Sequence, residues 1–141
     1  MRTFFEEELK KVCRRIGCLK HQKYISNVCF GEIGKELRAR IIFNGPDSNS
    51  YTSIIVRIVN RTEGMVDGIC LDFASILGSK RVENPNFENG VVPHIRIDTY
   101  KVPIMPEWFV YKPVESDYEA LAKAVTDYLS MFADDDYKEQ T

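Results

Sequence analysis

The chain reads as a single α+β domain. Its antiparallel sheet combines a three-strand meander with a separate hairpin, and helices stand at the N-terminus, in the middle and at the C-terminus. Three observations predict this. Apolar residues recur at helical spacing near both ends: Leu9, Val12, Cys13 and Ile16, then Tyr118, Leu121, Ala122, Val125, Leu129 and Phe132. Between them lie alternating, β-branched segments separated by turn formers. The length of 141 residues, with 44% hydrophobic and 28% charged residues, is that of one ordinary globular domain. A chain of this size buries a core without metals or disulfides.

The elements follow in order. Thr3 with Glu6 forms a capping-box pattern, and Gly17 supplies a helix stop. The acids Glu6, Glu7 and Glu8 fall at the positive end of the helix dipole, and Lys10, Lys11, Arg14 and Arg15 toward its negative end. Residues 24–33 read as a strand with an interior Gly31. Residues 37–43 put Leu37, Ala39, Ile41 and Phe43 on one face, and the turn formers of 45–50 return the chain as strand 51–59. Residues 65–78 fit two periods. Val66, Ile69, Cys70, Phe73, Ile76 and Leu77 suit a helix, whereas Ile69, Leu71 and Phe73 suit a strand. The length and the bounding Gly64 and Gly78 favour a helix, although Gly68 inside it costs about 1 kcal/mol.

Asn84-Pro85 and Asn89-Gly90 then mark turns in the loop 83–93. Pro93 guards the entry to a strand over 94–100, whose partner is 107–112. Ser116 with Glu119 opens the last helix as a second capping box. The domain spans 1–133, and the polar tail 134–141 is expected to fray. The resulting order, α-β-β-β-α-β-β-α, is similar to that of type III secretion chaperones and of a number of small inhibitor-like proteins. The likeness is one of element order.

Several functions are disfavoured. A net charge of -2 argues against bulk affinity for nucleic acid. No apolar run approaches the roughly 18 residues of a membrane span. The first fifteen residues lack the apolar core of a signal peptide, so the four cysteines are expected as reduced thiols in the cytoplasm. The sequon Asn60-Arg61-Thr62 is then a chance match. Cys13, Cys18, His21 and Cys29 are spaced C-x4-C-x2-H-x7-C, unlike the paired knuckles of zinc sites, and Cys70 suits the core. No metal or cofactor is expected. No nucleophile elbow occurs, and "FGEIGKE" lacks the length and the hydroxyl residue of a phosphate loop, so it reads as a turn. Asp67, Asp72, Glu83 and Asp98 match no metal-dependent nuclease pattern.

Two clusters remain. Arg38, Arg40 and Arg57, with Arg96, fall opposite the apolar positions of their strands, and Tyr24 or Tyr51 could stack beside them. Apolar Ile42, Ile55 and Val59 share that side, which suits a protein contact better than a phosphate track. The second cluster holds Phe87, Pro93, His94, Pro106, Trp108, Phe109 and Tyr111. His94, Arg96, Trp108 and Tyr111 are its candidate partner-binding residues, of the types that dominate binding hot spots. The sequence therefore predicts a small non-catalytic macromolecule-binding protein, inhibitor-, immunity- or chaperone-like, acting on another protein. The alternatives are a nucleic-acid-binding or regulatory domain using the arginine face, and a hydrolase built around His94. The oligomeric state stays open, a dimer included.

Overall fold

The computed structural model describes residues 4–44, 53–77 and 114–138. Five strands form one antiparallel meander: β1 (Lys20–Ile25), β2 (Val28–Glu32), β3 (Leu37–Asn44), β4 (Ser53–Asn60) and β5 (Gly64–Asp72). Their order in the sheet is their order in the chain. The helices are α1 (Phe4–Cys13), α2 (Phe73–Leu77), α3 (Glu115–Leu129) and α4 (Asp135–Lys138). The architecture is α+β, with helices at the N-terminus, in the middle and at the C-terminus.

Period-two alternation sorts each central strand into an apolar and a mixed face. Cys29, Ala39, Ile41, Phe43, Ile54, Val56 and Ile58 all point to one side and are fully buried. The stripes of α1 (Leu9, Val12, Cys13) and α3 (Leu121, Ala122, Val125, Leu129) meet them there in a single core. Two helices thus cover one face of the sheet. Gly31 is required by this packing: a Cβ at that position would lie 2.5 Å from Leu19 Cδ1. Gln22 of β1 closes the end of α1, its Nε2 donating to the carbonyl of Cys13 at 2.8 Å.

Four elements differ from the sequence expectation. Residues 24–33 are two strands, because Ser26 (φ 56°) and Asn27 turn the chain between Ile25 and Val28. A positive φ there is what short hairpin turns use. Residues 65–78 are mostly strand: β5 runs to Asp72, and only Phe73–Leu77 is helical. The ladder to β4, from Asn60↔Gly64 to Ser53↔Asp72, outweighs the helical spacing. The last helix is capped two residues earlier than Ser116, by Asp117 accepting the N–H of Val114 at 2.8 Å. The tail holds a short helix over Asp135–Lys138. Asp134 accepts the N–H of Lys35 at 3.0 Å, and its own N–H donates to the carbonyl of Ile33 at 2.9 Å. The loop 83–93, the strands 94–100 and 107–112 and Thr3 lie outside the described residues.

Candidate functional site

The face of the sheet opposite the helices carries an ordered pattern. Strand register aligns Ile25, Val28, Ile42, Ile55 and Cys70 in one row across all five strands. With strands spaced about 4.8 Å apart, the row is roughly 19 Å long. Ile25 is 65% exposed at its β1 end and Cys70 is exposed at the other, while Val28, Ile42 and Ile55 are half-buried. The next row holds Lys23, Phe30, Arg40, Arg57 and Gly68. Arg40 lies over the Phe30 ring, 5.8 Å from its centroid. Among the described residues no carboxylate pairs with Lys23, Arg40 or Arg57. Arg40 and Arg57 also stand directly opposite each other, a placement of like charges that costs stability.

A third row brings Glu32, Arg38, Val59 and Met65 together. Arg38 is steadied by the turn below it, its Nη1 donating to the carbonyl of Gly34 at 3.3 Å. Between the second and third rows lies a hollow of about 260 Å³, lined by His21, Lys23, Phe30, Glu32, Arg38, Arg40 and Val59, with the backbone of Gly31 and Ala39. His21 enters it from an irregularity in β1 and holds a φ of 54°. Its Nδ1 is 3.3 Å from Glu32 Oε2. Bulges re-aim side chains in this way, and backbone strain at a non-glycine residue gathers at sites that use it. The described lining offers no hydroxyl or thiol nucleophile.

The opposite side of the molecule is committed to packing. Cys13 and Cys29 meet between α1 and β2: burial pushes the Cys13 thiol well up, and the hydrogen bond from it brings Cys29 down. Glu8, 4% exposed, accepts from Tyr118 Oη at 2.7 Å and from Lys11 Nζ at 3.0 Å. A second hollow beside Arg15, Glu119, Ala122, Lys123 and Thr126 is flanked by charges already paired, Arg15 with Glu115 and Lys123 with Asp127.

Against the sequence-derived candidates, the geometry divides cleanly. Arg38, Arg40 and Arg57 share one face with Ile42, Ile55 and Val59. Tyr24 does not join them: it pairs with Cys29 and packs against the core. His94, Arg96, Trp108, Tyr111 and Tyr51 lie outside the described residues. Cys13, Cys18 and Cys29 are buried while His21 is exposed on the other face, so the four do not gather around one point. Among the described residues no group of three or more His, Cys, Asp or Glu is placed to hold a metal ion. Nor is any described helix long and apolar enough to cross a membrane. Asp67 accepts a hydrogen bond from Tyr128 Oη. Sequence reasoning missed Lys23 and Phe30, and weighed His21 only as a metal ligand. The available signal was alternation in "KHQKYI", where His21, Lys23 and Ile25 fall on one side.

The chain matches no protein-family model, no curated protein and no solved structure.

Proposed function

We propose that this chain is a small non-catalytic binding protein, inhibitor-, immunity- or chaperone-like in its action, that holds an acidic partner protein on the outer face of its sheet. One observation supports the reading above others: an apolar row across five strands lies beside a cationic row that no described carboxylate compensates. Apolar surface gives affinity, and unpaired charge gives orientation and steers encounter with a partner of opposite sign. A nucleic-acid surface would repeat cations along the whole face, and here the row on one side of the cationic row is apolar.

The experiment compares capture by the wild-type protein, by Ile42→Asp and by Arg40→Glu/Arg57→Glu, with Lys123→Glu on α3 as control. A protein that wild type and control retain, and that both face variants lose at least tenfold, is the expected result. Equal retention by all four refutes the reading.

A further inference from the structure

We propose that the hollow between β1, β2 and β3 is a receptor for a phosphorylated side chain on the partner protein. This rests on the reading of the outer face as the docking surface and names what its charged end recognises.

The argument is one of charge count and geometry. Lys23, Arg38 and Arg40 are three permanent cations among the described residues of the lining, against one described carboxylate, that of Glu32, which His21 already engages. Two positive charges are in excess. A carboxylate side chain supplies one negative charge; a phosphomonoester supplies about 1.5 to 2 near neutral pH, with three acceptor oxygens. Arg38 and Arg40 are two residues apart on one face of β3, hence roughly 7 Å apart, so both guanidinium forks can converge on one group. Arg40 is held by the Phe30 ring and Arg38 by the Gly34 carbonyl, so both cations are positioned before a ligand arrives. Phe30 and Val59 supply apolar walls for the stem of a phosphoserine or phosphothreonine.

The volume accommodates such a group. The hollow holds about 260 Å³. Small-molecule sites begin near roughly 300 Å³ and enclose most of their ligand. A single group presented on a side chain fits the smaller, solvent-open space, and the apolar row beginning beside Lys23 continues the contact along a peptide. A nucleic acid offers phosphates at regular spacing, for which the described residues of this face form one receptor and no track.

Three arms test the inference. Random peptide libraries carrying a central phosphoserine, serine or glutamate are passed over the immobilised protein. The phosphoserine library should be retained at least tenfold above the other two, and Arg38→Gln/Arg40→Gln should abolish the difference. Inorganic phosphate alone should shift the Arg38 and Arg40 side-chain Nε–H signals more than acetate does at equal ionic strength. A single-stranded RNA oligonucleotide should not displace the phosphopeptides. Equal retention of the three libraries, an advantage that survives in the double Gln variant, or full displacement by RNA overturns the proposal. Phosphatase treatment of the lysate separates the two readings. A partner still lost with Ile42→Asp but indifferent to phosphatase leaves the docking face standing and removes the phosphate receptor.

Discussion

Arg40 and Arg57 stand directly opposite each other across β3 and β4, and no described acid lies between them. Replacing Arg57 by Thr should therefore stabilise the protein. Taking a separation of roughly 7 Å between the two charges, Coulomb's law in water gives about 0.6 kcal/mol of repulsion. Screening at physiological ionic strength, with a Debye length of about 8 Å, leaves roughly 0.25 kcal/mol. Thr adds a few tenths as a β-branched residue in a strand. The side chain of Arg57 is exposed and makes no described ion pair, so little is lost in exchange. The sum is about 0.5 kcal/mol, or a rise in Tm of roughly 2 °C for a domain of this size. Differential scanning calorimetry at 20 mM and 500 mM NaCl measures both parts: the gap between variant and wild type should narrow at high salt. A double-mutant cycle with Arg40→Thr isolates the pair, since Arg40 alone also gives up its stacking on Phe30. A lower Tm for Arg57→Thr at both salts, or a cycle with favourable coupling between the arginines, would show that the pair is a structural asset and not a strained binding element.

Two further outcomes follow from the packed side. Gly31→Ala drives a methyl to 2.5 Å from Leu19 Cδ1 and 3.3 Å from the carbonyl of Lys20, in a region where Leu19 is itself buried. It should cost about 1–3 kcal/mol, read as a lower urea midpoint at unchanged slope, and a shift within about 0.5 kcal/mol would contradict the close approach. Tyr118→Phe leaves the buried Glu8 carboxylate without one of its donors and should cost about 1–3 kcal/mol at pH 8. Burial, then the hydrogen bond to Glu8, pushes the Tyr118 phenol above its ordinary range, so the folded state holds this proton more tightly than the unfolded chain. The contribution is complete below about pH 10 and declines as pH rises past it, because the unfolded chain releases its proton first. Denaturation midpoints between pH 8 and 11 should therefore bring wild type and Tyr118→Phe closer together; a widening gap sinks the assignment.

Where one period dominates, the sequence is readable. β3 and β4 alternate strictly, and α3 carries its apolar stripe over four turns, so all three were legible to within a few residues. β5 was not, because Ile69, Cys70 and Phe73 satisfy helical and strand spacing together. It also lies at the margin of the sheet among the described residues, with Met65, Val66 and Ile69 exposed, so burial imposes no clean alternation on it. The turn at Ser26 was hidden for a different reason. Neither Gly nor Pro marks it, and the run from Tyr24 to Cys29 looks continuous until the backbone doubles back. The arginine face could be read from alternation alone. The hollow beside it could not, since it depends on an irregular strand entry that turns His21 toward Glu32.

The identity of strand order and chain order also dictates how the molecule is assembled. Neighbouring strands are joined by residues 26–27, 33–36, 45–52 and 61–63, so each ladder closes a short segment. Loop-closure entropy is small for such lengths, and local pairing is fast. The clasp between Tyr118 and Glu8 instead joins residues 110 apart in sequence. The meander can thus zip hairpin by hairpin as the chain is synthesised, before α3 exists to shield its apolar side. Its outer rows are complete once β5 has paired, whereas the inner side lacks one of its two covering helices until the C-terminal helix docks. A partner that arrives early would meet a finished docking face on a molecule whose core is still unsealed.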